Sequence, residues 1–372
     1  MRVLHVVATG QRRGAEMFAS DLVRALGSLG AHEQRVVVLR APWPPEVDYA
    51  APVARLRRDG VSIPGLRMDA ATLSHLRSVI GRFEPHVLHA HGGEAFKYAV
   101  LGSAGGGARV VYRRIGTAPA SIRTGPRRTM HAALLRRAAA IVAVAETVRH
   151  ETIETFRIPA GRVRTIPRGI DPDRIRAVRP REEVRRELRI PATAPVAIAV
   201  GALSEEKDPL AHLDVCATLL RALPDVVYVF AGDGPMREEL GSAVRTRGLQ
   251  DRVRILGTRT DVGDLLAASD VLVLASRTEG MPGCVIEAGM AGIPVVSFGL
   301  AGVPEVILDG LTGYVVGPGD HGALAERVLK VLEDEGLRRT MGAAASERCL
   351  ATFGIGDIAG RYAEVYERVV GS

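Results

Sequence analysis

The chain has little that would carry it across a membrane, out of the cell, or onto nucleic acid. Among its 372 residues no run of roughly 18 apolar ones occurs, which excludes a conventional membrane-spanning helix. Three cysteines, Cys216, Cys284 and Cys349, lie far apart with no C-x-x-C spacing. They give neither a disulfide framework nor a zinc motif, and they suit a reducing, cytoplasmic compartment. The opening MRVLHVVATGQRRGAE has no small-residue cleavage site and reads as a buried strand rather than a signal peptide. Aromatic residues make up 4% of the chain, a thin supply of stacking platforms, and no nucleic-acid module signature is present. The turn after the first apolar run is TGQRRGAE, not G-x-G-x-x-G, which disfavours a dinucleotide-binding dehydrogenase.

What is present fits two domains. The length suits two units of roughly 150–200 residues, and 47% hydrophobic residues supply a sizeable core. Charge is unevenly spread: residues 1–180 carry 29 Lys/Arg against 14 Asp/Glu, whereas residues 181–372 carry 20 against 28. A basic first half is suited to an anionic membrane surface or an anionic acceptor; solvated Arg-rich surface is the plainer alternative, and nucleic acid the weakest.

Short apolar runs alternate with helical patterns throughout, the signature of parallel α/β architecture. Strands are expected at 2–8, 35–39, 86–90, 109–112, 140–144 and 162–166, and again at 195–201, 226–232, 252–256, 270–275 and 293–298. The pattern restarts after a linker near 167–190. Segment 41–66, with five prolines, reads as loop with room for one interrupting strand. Two doubly wound sheets place their functional loops at the carboxyl ends of the strands.

The motifs lie there. Gly10 and Gly14 flank the first strand-to-helix turn, whose amides can approach an anion. In PHVLHAHGG, alternation puts His89 and His91 on one face, and His91, at the strand's end, is expected to donate a hydrogen bond to substrate. No acidic or cysteine partner follows at metal-ligand spacing. Asp171 reads as a helix cap before Pro172 rather than a metal ligand. Lys207, in a loop after a strand, can meet a diphosphate as a flexible point charge. In SRTEGMPGCVIEAGMAGIPVV, Glu279 stands in a turn. Gly280 and Gly283 let the backbone approach a ligand with the amides of Met281, Gly283 and Cys284, and Pro282 fixes the turn. Glu287 falls about one turn into the following helix, where a carboxylate can accept from both hydroxyls of a ribose. The spacing suits a nucleotide sugar, with sugar at Glu279 and ribose at Glu287.

In order along the chain, the GAE turn at 14–16, VLHAH, IPRGID, VGALSEEKD, AGDGP, LGTRTDV, the E-x7-E stretch and GVPEVILDGLTGYVV together resemble a family-four retaining glycosyltransferase. The resemblance implies a GT-B fold: two Rossmann-like, doubly wound α/β domains facing a central cleft. Residues 1–170 would form the acceptor domain and 171–355 the nucleotide-sugar domain, with a helix at 356–372 crossing back to the first. It implies metal-independent hexosyl transfer from a nucleotide sugar, with UDP the favoured donor base, to a sugar, lipid-linked or other small acceptor, with no cofactor. Glu287 would take the ribose, Glu279 and the following amides the hexose, and Lys207 the leaving diphosphate. Gly14 would approach the phosphates, His91 the sugar, and Thr258 and Arg259 the base. No side chain need be a nucleophile; the leaving phosphate helps deprotonate the acceptor, and charge stabilisation carries much of the rate. Two positions depart from the family: Ala202 stands where an arginine is usual, and Arg168 where asparagine is usual. The expectation is that Arg168 supplies the displaced cation. The chain would act in the cytoplasm, at the inner face of the membrane if the basic half docks there. A nucleotide-sugar epimerase or sugar phosphorylase of similar fold, or a non-catalytic interaction protein, are the alternatives.

Overall fold

The computed structural model describes residues 1–30, 32–40, 47–56, 62–63 and 68–371. It divides into two units: Met1–Gly169 with Ile355–Ser372, and Ile170–Gly354.

Among the described residues, the first unit contains β1 (Arg2–Val7), β2 (Glu33–Val38), β3 (Val53–Arg55), β4 (Ser62–Ile63), β5 (Met68–Asp69), β6 (Val87–His91), β7 (Arg109–Arg114), β8 (Ala140–Ala143) and β9 (Val163–Thr165). Seven of these form one sheet in the order β3-β2-β1-β6-β7-β8-β9, all parallel. The segment expected to be mostly loop therefore supplies an edge strand, β3, as well as β4, which pairs antiparallel with β5. The rest of that expectation, residues 41–46, 57–61 and 64–66, lies outside the described residues. The second unit contains β10 (Val196–Val200), β11 (Val227–Ala231), β12 (Val253–Ile255), β13 (Val271–Leu274), β14 (Val295–Phe298) and β15 (Gly313–Val316). Their order is β12-β11-β10-β13-β14-β15, again parallel.

Strands buried on both faces need apolar side chains on both, and β1, β10, β11 and β13 are accordingly Val/Ile/Leu/Ala-rich runs. The first unit closes its sheet with the last helix, Ile355–Val370, which buries Ile355, Ile358, Ala359, Tyr362, Val365, Tyr366 and Val369. That three-and-four spacing is one helix face, and it packs with Val3, Phe18, Leu22, Val87 and Val111 in a single cluster. The second unit has its own core around Leu213, Leu219, Phe230, Val273 and Val328. Among the described residues no helix is long and apolar enough to cross a membrane.

Candidate functional site

In the second unit the opening turn of the E-x7-E stretch follows β13, and the helix Gly283–Met290 starts at Pro282, whose φ of −71° needs no adjustment at a helix start. Met281 and Gly283 are buried. Glu287 is half a helix further on, 8% exposed, and its Oε1 accepts from Nη2 of Arg174 at 3.0 Å. Arg174 comes from the short helix Pro172–Ile175, whose cap is Asp171 accepting from the amide of Asp173. The aspartate thus caps a turn.

Lys207 and Glu279, 72 positions apart, meet at 2.5 Å between Nζ and Oε1. Lys207 sits at the end of a single 3-10 turn, Glu205–Lys207, after β10. The loop between, Gly201–Leu203, lies tight against the next strand's exit. A β-carbon on Gly232 would come within 1.8 Å of the Gly201 carbonyl oxygen, so no other residue fits there. The two residues expected at the diphosphate and the hexose are therefore one ion pair, at the carboxyl ends of β10 and β13.

Arg259 is placed otherwise than a free base-flanking group. It forks onto both carboxylate oxygens of Asp261 at 2.8 and 2.6 Å and also donates to Glu187 at 2.9 Å, a bidentate geometry natural to guanidinium. Arg179 joins the same carboxylates. Thr258 beside it is exposed.

In the first unit, Gly10 is buried and Gly14 opens the helix Gly14–Ser28. Glu16, 3% exposed, closes the preceding turn by accepting from the amide and hydroxyl of Thr9; burial raises its carboxyl above the usual range. Arg168, 8% exposed, is brought to this turn, its Nη1 2.9 Å from where a Gly14 β-carbon would stand. A second buried guanidinium, Arg113, lies close enough to Arg168 to feel its charge; burial is the larger cause lowering it to about 10. It stacks over Phe18 at 3.7 Å.

His91 is not an open loop histidine. It is 2% exposed, and its Nε2 lies 3.2 Å from Nδ1 of His5. His5 is in register with His89, and His91 with Arg113, so all four side chains share one face of the sheet. Tyr366 of the last helix reaches His89 Nδ1 at 2.7 Å. Burial holds all three rings well below their ordinary titration range, His5 at about 4. Their nitrogens lie within 4.8 Å of one another, a grouping that neutral imidazoles could offer a metal. His5, Gln34, Arg113 and Arg174 escape sequence reasoning because their partners are set by strand register and by loops far apart in the chain.

Residues 12–174 match the family described as Glycosyltransferase Family 4, and residues 180–348 match Glycosyl transferases group 1. The N-acetyl-alpha-D-glucosaminyl L-malate synthase of Bacillus anthracis is 29% identical over 62% of this chain and 60% of its own length. The 2-deoxystreptamine glucosyltransferase of Streptomyces kanamyceticus is 30% identical over 64% and 62%. The matched region thus spans about three fifths of these relatives. The crystal structure of Anabaena HepE in complex with UDP superimposes with a TM-score of 0.82 at 21% identity, covering 99% of this chain and all of that one. The fold is therefore GT-B, and the chain is glycosyltransferase-like along most of its length.

Proposed function

We propose that the protein transfers a hexosyl group from a nucleotide sugar, a UDP-sugar by preference, to an acceptor hydroxyl, with retention of configuration and without a metal. The observation that carries this reading is the Lys207–Glu279 contact beside the helix that bears Glu287. A cation for a leaving diphosphate, a carboxylate for sugar hydroxyls and a carboxylate for a ribose diol stand in one unit. Glycosyltransferase-like matches in both halves of the chain support it.

In the proposed reaction the bond from the anomeric carbon to the diphosphate oxygen breaks. The acceptor oxygen bonds to that carbon on the same face, and its proton passes to the departing phosphate oxygen. Lys207 draws away from Glu279 toward the diphosphate and offsets the growing charge, while Glu279 is released to the hexose hydroxyls; preorganised charge of this kind is worth most in a site shielded from water. Arg174 holds the Glu287 carboxylate in place for the ribose.

The acceptor is proposed to be lipid-linked or anionic, presented at the cytoplasmic face of a membrane. Favouring this is the helix Gly125–Leu135, which buries only Ala132 and Leu135 and leaves Met130 57% exposed among Arg127, Arg136 and Arg137. Basic side chains around an exposed apolar one suit an anionic bilayer.

The test is a turnover screen with UDP-, GDP-, ADP- and TDP-sugars, with and without EDTA, reading the anomeric configuration of the product by proton coupling. Expected is transfer from a UDP-sugar with unchanged configuration and no loss in EDTA. Inverted product, or activity abolished by EDTA, overturns the corresponding part. Cosedimentation with anionic vesicles at low salt tests the membrane reading; no binding leaves a soluble acceptor.

A further inference from the structure

Two of the buried histidines, His5 and His91, are joined with Gln34 in a chain whose protons can be assigned. Gln34, 9% exposed, donates from Nε2 to the carbonyl of Val23 at 2.9 Å. This bond fixes which end of the amide is oxygen, and that oxygen faces His5 Nε2 at 3.1 Å. An amide oxygen only accepts, so His5 carries its proton on Nε2 and, being neutral, has a lone pair on Nδ1. The next contact, His5 Nδ1 to His91 Nε2, then requires His91 to donate. A neutral His91 with its proton on Nε2 keeps a lone pair on Nδ1. That atom is buried and has no hydrogen-bond partner among the described residues.

A buried imidazole nitrogen without a partner costs free energy unless something fills its need. His91 ends β6, directly before Gly92, whose φ of 92° turns the chain into the helix Gly93–Gly102. The charged or titratable groups facing it are His5, His89 and Arg113, all of which oppose its protonation. The ring thus stays neutral, with the lone pair on Nδ1 unused.

We infer that Gln34 and His5 are positioning residues that hold His91 in its Nε2–H form, so that what it offers a sugar hydroxyl is an acceptor at Nδ1. This rests on the transferase reading above and reverses the donor role expected from sequence. A site hydrogen-bonded in this way selects a hydroxyl over a group that only accepts.

The experiment reads the tautomers directly, by long-range proton–nitrogen correlation on the full chain with labelled histidine. Wild type should show His5 and His91 both protonated on Nε2 alone. In Gln34→Glu, the carboxylate should hold a second proton on His5, whose Nδ1–H then donates to His91 and drives it to the Nδ1–H form. Transfer kcat/KM should then fall about tenfold. Gln34→Met, which keeps the volume without the acceptor, should give mixed tautomers and a smaller fall, and serves if the glutamate variant does not fold. A wild-type His91 protonated on Nδ1 overturns the relay whatever the activity. So does zinc retained by the purified chain on His5 Nδ1, because it would occupy the lone pair that accepts from His91. A switched tautomer with unchanged kcat/KM overturns the hydroxyl role. The expected tautomers with no sugar transfer from any donor sink the transferase reading, and the hydroxyl role with it, rather than the relay.

Discussion

Arg168 Nη1 lies 2.9 Å from the point where a β-carbon on Gly14 would stand. A guanidinium is thereby held at the N-terminal end of the helix Gly14–Ser28, where the amide dipoles already present positive charge. Arg113 is near enough to feel its charge. Arg168→Ala should lower kcat/KM for donor turnover about 10- to 100-fold, ~1.4–2.7 kcal/mol of transition-state stabilisation. Ala202→Arg on that background should restore part of the loss. Steady-state kinetics with intact donor turnover in Arg168→Ala would show that the diphosphate is neutralised elsewhere.

Glu287 is paired with Arg174 at 3.0 Å, and ribose is its proposed ligand. Glu287→Ala should weaken nucleoside diphosphate binding by about 1.5–3 kcal/mol, the range for hydrogen bonds to a charged group. Titration calorimetry on the folded variant checks this. Unchanged affinity removes the ribose assignment.

The Lys207–Glu279 pair should behave as a kinetic unit. Lys207→Met leaves the Glu279 side chain, 6% exposed, without its cation and removes the positive charge proposed to face the leaving diphosphate, so kcat should fall more than KM rises. We expect about a 100-fold loss, ~2.7 kcal/mol. A variant whose KM alone changes would place Lys207 in ground-state binding instead.

Acid should destabilise the first unit. His5, His89 and His91 have folded pKa values below the unfolded value of 6.5, so the unfolded chain binds more protons as pH falls below about 6.5. Stability is therefore full above that pH and declines toward about 4, where His5 titrates in the fold. For His5 alone the loss by pH 5 is about 2 kcal/mol. Urea unfolding at pH 7 and 5 measures it. His5→Gln should flatten the dependence.

Most of the strands were legible because two-sided burial writes a parallel strand as an unbroken apolar run, as in RVLHVV and VYVFA. The exceptions have physical reasons. Strands β4 and β5 are two residues each, β3 is an edge strand of three ending in arginine, and β15 is four residues beginning with glycine; each is too short to show a period. At the candidate site, local motif and turn chemistry single out Glu279, Glu287 and Lys207. They do not single out the partners. Arg174 is 113 positions from Glu287, and His5 meets His91 only because β1 and β6 pair in one particular register. Periodicity assigns a side chain to a face, but not the neighbour it will meet there.

The first unit is made of Met1–Gly169 and Ile355–Ser372, and Tyr362 and Tyr366 fill its core beside Val3 and Phe18. On the ribosome this inverts the usual order of events. The 170–354 segment carries all its own strands and can close as soon as it has emerged. The earlier 169 residues must wait through roughly ten to forty seconds of further synthesis, at about 5–20 residues per second, with the apolar side of β1 and β6 lacking its cover. A nascent chain would then be most exposed to chaperones and proteases in the part translated earliest. The piece made first is finished last.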